Sequence, residues 1–205
     1  MKFFSSSSSR TALAAVRAVA VLTLVLGLGY TTLVTGLGQL LLPAQANGSL
    51  ITNEQSTTVG SALIGQAFTD KLGNPLPQYF QTRPSAAGEG YDGAASSGSN
   101  LGPQNPELIE QIAQRKKSIA EFNKVPEAQV PADAVTASAS GLDPQISVQY
   151  AQIQQERVAA ARGLDIAKVR ALVEKYTKAP DLGFLGEPVV QVLELNLALD
   201  QLQRG

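Results

Sequence analysis

The sharpest feature of the polarity pattern is a single break. From position 18 to 42 the chain reads AVAVLTLVLGLGYTTLVTGLGQLLL, with no charged residue. As a helix this run extends about 37 Å, longer than the ~30 Å hydrocarbon core of a bilayer, and predicts one transmembrane helix over 18–42. Its glycines cost little in lipid, where small residues let another helix approach closely. Gly29, Thr32 and Gly36 fall roughly on one side at helical spacing and are the candidates for packing against membrane partners; ordinary transmembrane composition is the plainer explanation of the same residues.

Beyond the run the pattern is that of one folded body over 47–205. Residues 56–64 (STTVGSALI) and 188–193 (PVVQVL) carry close-spaced β-branched and apolar positions and predict strands. Residues 70–106 are rich in Gly, Pro, Ser and Asn without periodicity, and predict a long irregular loop whose length suggests a surface shaped for contact. Tyr79, Phe80 and Tyr91 within it need burial. Helices follow. Asn105-Pro106-Glu107 is a start signal, with Leu108, Ile109, Ile112 and Ile119 continuing an apolar face to about Phe122. Ser147 caps a second helix that Gly163 stops, and Asp165 caps a third with Ile166, Val169, Leu172, Val173 and Tyr176 on one face. Residues 194–202 predict a short terminal helix. The class is one N-terminal transmembrane helix plus a mixed α/β (α+β) domain, with the strand order open.

Charge gives the anchor a direction. Lys2, Arg10 and Arg17 are the only charged residues before Glu54, no basic residue follows the run until Lys71, and all 17 acidic residues lie after it. The positive-inside rule therefore puts 1–17 in the cytoplasm as a basic, disordered tail and 47–205 outside as an extracytoplasmic domain. Ala44-Gln45-Ala46 offers a competing signal-peptidase site, but the run is longer than a 7–15 residue signal core, which favours retention of the anchor.

The catalytic repertoire is thin. Cysteine and histidine are absent, which removes disulfides, thiolate sites and the commonest general base and metal ligand. A net charge of −1 carries no nucleic-acid footprint.

An ordered set of motifs then suggests a family. Gln45-Ala46-Asn47-Gly48-Ser49-Leu50 follows the anchor. Next come Gly60-Ser61-Ala62-Leu63-Ile64-Gly65-Gln66 with Phe68, and Tyr79-Phe80 ahead of Arg83-Pro84-Ser85. Ser97-Gly98-Ser99-Asn100-Leu101 precedes Asn105-Pro106, and the stretch from Val135 through Ser138, Ser140 and Gly141 to Asp143 follows. Arg157-Val158, Ala161-Arg162 and Gly186-Glu187-Pro188-Val189-Val190 lead to a close from Val192 to Asp200. Together these resemble the KdpC family, the C subunit of the Kdp potassium-transporting P-type ATPase, from the membrane segment almost to the last residue.

The resemblance implies a bacterial cytoplasmic (inner) membrane complex. Its other members are a channel-like subunit, KdpA, an ATP-hydrolysing subunit, KdpB, and a small helix, KdpF. It implies an accessory subunit that stabilises assembly and acts as a catalytic chaperone raising the ATP affinity of the ATPase subunit, with ATP reached through that partner. A direct ATP contact conflicts with the charge argument, since ATP is cytoplasmic. The effect would then travel through membrane helices.

Single sites divide as follows. Ser97, Gly98, Ser99 and Asn100 have a faint likeness to the nucleotide-contacting signature of ABC transporters, but no Walker lysine pattern exists and a structured loop is the expected reading. The stretch 136–143 offers hydroxyls for a membrane-anchored Ser-Lys hydrolase, against which stands a strand entering a turn at Gly141 and Asp143-Pro144. An anchored solute-binding protein is the third class. Arg83 is expected to pair with an acid or guard a cation entrance, and Arg157 and Arg162 to be solvated or partner-facing. Arg83, Asn100, Asp143 and Asn196 are candidates for external contacts. Glu194, Asn196 and Asp200 are candidates for a cation-attracting surface, with Asn196 also readable as a buried structural amide.

Overall fold

The structure is a computed structural model that describes residues 6–53 and 55–204. The chain divides into two compact units, one ending at Ser49 and the other beginning at Leu50.

The first unit is a long apolar helix. It runs α-helical over α1 (Ser6–Leu22), widens to a π-helix over Thr23–Tyr30, and returns to α over α2 (Thr31–Leu41). Gly27 and Gly29 sit in the π segment. Thr31 Oγ1 donates 3.3 Å to the Leu26 carbonyl five residues back. Ser8–Leu41 is long and apolar enough to cross a membrane. The helix starts at Ser6, inside the tail expected to be disordered: an alanine-rich stretch from Thr11 onward favours helix and carries the described serines with it. The rest of that tail, residues 1–5, lies outside the described residues. Pro43 then opens a single turn, α3 (Pro43–Ala46), after which Asn47 donates to Gln39 Oε1 at 3.0 Å and to the Pro43 carbonyl at 2.7 Å.

The second unit is α+β. A hairpin pairs β1 (Leu50–Thr52) antiparallel with β2 (Thr58–Ser61). A long irregular segment leads to α4 (Pro106–Asn123) and a short α5 (Ala132–Val135). Next come β3 (Gln145–Ser147), α6 (Val148–Arg162), α7 (Ile166–Lys175), β4 (Thr177–Lys178), β5 (Val189–Gln191) and α8 (Val192–Arg204). The second sheet is antiparallel with β5 between β3 and β4.

Local chemistry sets these boundaries. Asn105 accepts the Glu107 N–H and Pro106 opens α4. Ser147 accepts the Tyr150 N–H and also donates to Asp133, which fixes the β3–α6 corner. Gly163, at φ +64°, ends α6, and Asp165 caps α7. The core is formed by Val158 of α6, Val169 of α7, Val190 of β5, and Val192, Leu195 and Leu199 of α8, all fully buried. Each such side chain contributes about 1.5–3 kcal/mol. Residues 188–193 do not form one strand: β5 stops at Gln191, because Val192, Leu195 and Leu199 bury on helical spacing. Of the predicted strand at 56–64, only Thr58–Ser61 forms a strand, and Ile64 adds an isolated bridge back to Ser61.

Candidate functional site

The irregular segment is anchored by an unusual clamp. Five consecutive carbonyls, from Pro77 to Gln81, each accept a hydrogen bond from a side chain. Arg157 Nη1 donates to Pro77 and, at 3.0 Å, to Tyr79. Arg162 Nε donates to Gln78 at 2.6 Å. Asn196 Nδ2 takes the Phe80 carbonyl at 3.0 Å, and Gln154 Nε2 the Gln81 carbonyl at 3.1 Å. The two amides also accept in return, from Phe80 N–H at 2.9 Å and Gln81 N–H at 2.7 Å. Gln154 and Asn196 therefore replace neighbouring strands, satisfying donors and acceptors that burial of Phe80 would otherwise orphan.

Helix geometry places the clamp. Gln154, Val158 and Arg162 lie one turn apart on α6, as do Asn196 and Asp200 on α8. Arg157 spans the gap: its Nε donates to Asn123 Oδ1 at 2.9 Å, its Nη2 to Gln154 Oε1 at 2.7 Å, and its guanidinium sits 4.4 Å from the Phe122 ring centre. Arg162 bonds Asp200 at 2.8 Å and Gln203 at 3.0 Å, and lies over the Tyr79 ring at 4.8 Å. Burial lowers the Arg157 pKa to about 10, which leaves it charged at neutral pH. Burial, followed by the nearby Asp200 carboxylate, raises that of the Tyr79 phenol.

These positions correct the sequence reading. Arg157 and Arg162 are not solvated charges; main-chain carbonyls and aromatic rings draw them inward, and Arg162 is buried. Asn196, expected among external contacts, is 1% exposed and faces the clamp; the buried-amide reading of it holds. Gln154 and Asn123 were not singled out. The one signal for Gln154 was a polar residue in register with Ala151 and Val158 on the buried side of α6.

Arg83 and Asp143 do meet. Arg83 Nη1 reaches Asp143 Oδ2 at 2.9 Å and Nη2 the Thr136 carbonyl at 3.4 Å. Asp143 Oδ1 accepts the Gln145 N–H, and Tyr91 Oη donates to the Arg83 carbonyl at 2.8 Å. Both charged side chains are about a quarter exposed, so the pair chiefly orients the loops around it.

The serine-rich loops are spent on one another. Ser97 Oγ donates to Ala86 O and Ser96 Oγ to Ser140 O. Gly98 packs so closely that a Cβ there would lie 2.8 Å from Ala139 O, while Asn100 is exposed at φ +52°. Ser138 and Ser140 accept the Gly141 and Leu142 N–H groups, forming a turn at Gly141 as expected, but no strand enters it; β3 starts only after Asp143-Pro144, at Gln145. In the first unit, Thr32 and Gly36 lie one turn apart on α2 and Gly29 lies in the π segment. Among the described residues no group of three or more Asp or Glu side chains is placed to hold a metal ion.

A single apolar helix long enough to cross a membrane, followed by an α+β body whose long loop is gripped by its own helices, is an architecture that suits a membrane-anchored protein. Comparison with known proteins gives the family. The family described as K+-transporting ATPase, c chain (KdpC) matches residues 12–201. The chain is 52% identical over 178 residues to the potassium-transporting ATPase KdpC subunit of Beijerinckia indica, covering 87% of each chain. It is 50% identical over 194 residues to the protein of that name from Mycobacterium tuberculosis H37Rv, covering 94% of this chain and 99% of that one. The Rhodospirillum rubrum KdpC subunit is 52% identical over 182 residues, covering 89% and 91%. The chain belongs to the KdpC family, the c chain of the K+-transporting ATPase.

Proposed function

We propose that this chain is a non-catalytic accessory subunit of an ATP-driven potassium uptake pump, anchored in the bacterial cytoplasmic membrane with residues 47–205 outside the cytoplasm. Its helix packs on the membrane helices of a channel-like subunit, an ATPase subunit and a small single-helix subunit (KdpA, KdpB and KdpF), with Gly29, Thr32 and Gly36 as the packing candidates. Its folded body stabilises the assembly. It raises the ATP affinity of the ATPase subunit at a distance, as a coupling through the membrane and without touching the nucleotide.

The observation that carries the sidedness is charge: Lys2, Arg10 and Arg17 precede the apolar run, and no basic residue follows it until Lys71. The lack of histidine and cysteine, and the use of Ser138 and Ser140 to hold a turn, support a role without chemistry of its own. Protease added to sealed spheroplasts is expected to digest the C-terminal body and leave the N-terminus intact. A protected body would overturn the placement. Membranes lacking this chain are expected to yield less assembled complex, with a weaker apparent affinity for ATP. Unchanged assembly and ATP affinity would overturn the accessory role.

A further inference from the structure

We propose that Arg10 and Arg17 form a two-point clamp on anionic phospholipid headgroups of the cytoplasmic leaflet, fixing the depth and the rotation of the anchor. This rests on the chain crossing the membrane with residues 1–17 on the cytoplasmic side, and names what that end of the helix binds.

The helix is longer than a bilayer requires. It begins at Ser6 and remains helical to Leu41. Two polar side chains bracket the part that lies in hydrocarbon. Arg17 is the last charged residue before the uncharged run, and Gln39, near the other end, accepts from the Asn47 amide at 3.0 Å. From Arg17 to Gln39 the helix rises about 33 Å, close to the ~30 Å hydrocarbon core. The residues before Arg17 therefore leave the hydrocarbon as helix, which gives their side chains fixed directions.

Those directions coincide for the two arginines. Arg10 and Arg17 are two turns apart on α1 and share one face, with the small Ala14 between them. Arg17 stands at the edge of the hydrocarbon and Arg10 about 10 Å further out. A headgroup layer is about 5–7 Å deep. Arg17 reaches its phosphates by extending outward along the helix, and Arg10 by leaning back, each on a long flexible stem. Both residues are exposed, and neither has an ion-pair partner among the described residues. No acidic residue precedes Glu54 to neutralise them. The anion present at that level is lipid phosphate, which a guanidinium takes through parallel N–H donors. The cytoplasmic leaflet adds a net negative surface. Two such contacts at different depths on one face oppose both sliding of the anchor along its axis and turning about it.

The test uses the whole complex reconstituted in nanodiscs of phosphatidylcholine with a minor share of phosphatidylglycerol. A photo-reactive benzoylphenylalanine replaces Leu13, beside the arginine face, or Leu33 in mid-span as the control. Adducts are identified by headgroup in a mass spectrometer. Adducts at position 13 are expected to be enriched several-fold in phosphatidylglycerol over its share of the disc, and those at position 33 to follow that share. Arg10→Gln with Arg17→Gln is expected to return position 13 to the bulk share, whereas Arg10→Lys with Arg17→Lys, which keeps the charge, retains enrichment. Bulk composition at position 13 in the native chain, unchanged enrichment in the glutamine pair, or adducts to another subunit in place of lipid overturn the proposal. Enrichment lost as fully in the lysine pair as in the glutamine pair overturns it too. Sidedness is scored separately by protease on sealed spheroplasts. A protected body overturns the cytoplasmic-leaflet assignment along with the placement, whereas a digested body without enrichment overturns this proposal alone.

Discussion

The Asn196 side chain forms a two-way pair with the backbone of Phe80, accepting its N–H at 2.9 Å and donating to its carbonyl at 3.0 Å, with both residues buried. Asn196→Leu keeps the branching at Cγ and removes both bonds. Each orphaned buried group costs about 1–3 kcal/mol, so with two of them urea unfolding of the variant is expected to show a loss of about 2–6 kcal/mol. A loss below about 0.5 kcal/mol, the range of ordinary surface changes, would show that the pair does not hold the segment.

Arg157 spends its guanidinium fork on Pro77, Tyr79, Asn123 and Gln154. A lysine keeps the charge but lacks the planar set of donors. Arg157→Lys is therefore expected to cost about 3 kcal/mol or more, the value of two or so charge-assisted bonds. Limited proteolysis gives a second readout, with cleavage within residues 70–80 accelerated in the variant. Equal stability of wild type and variant would refute the clamp.

Gly141 takes φ +71° where three loops meet. A Cβ at that position would lie 2.6 Å from Ala87 Cβ and 2.7 Å from Ser97 O. Neither neighbour is the end of a flexible side chain, so the strain cannot be relieved cheaply. Gly141→Ala is expected to lower stability by more than about 2 kcal/mol, measured by thermal or urea unfolding.

Burial pushes the Tyr91 phenol up from 10.0 to about 12. A folded-state pKa above the unfolded one means that the unfolded chain loses its proton first. The associated stability is complete below pH 10 and is lost as pH rises through about 12. Burial raises Tyr150 as well, which adds to the same alkaline loss. Unfolding curves between pH 9 and 12 are expected to show falling stability, and Tyr91→Phe to fall less steeply. Identical slopes would exclude Tyr91 as a contributor.

The helices were legible because their ends are written in adjacent residues: Asn105-Pro106, Ser147, Gly163 and Asp165 all act within a turn of their positions. The sheets were less so. Their strands span two to four residues, too short for an alternating pattern to declare itself, and Val192-Leu193 looked like strand because a short apolar run fits either state. The Arg83–Asp143 pair and the buried Asn196 followed from residue chemistry. The clamp did not, because residues 77–81 receive their backbone partners from helices more than 70 positions later, and nothing in the local sequence announces them.

Because the clamp grips main-chain oxygens, it does not read the side chains of Pro77 and Gln78. Pro77 and Gln78 can be exchanged for other residues with little effect, while the requirement for identity falls on Gln154, Arg157, Arg162 and Asn196. A saturation scan of this protein is thus expected to find tolerance at Pro77 and Gln78 and intolerance at the distant helix positions that grip them.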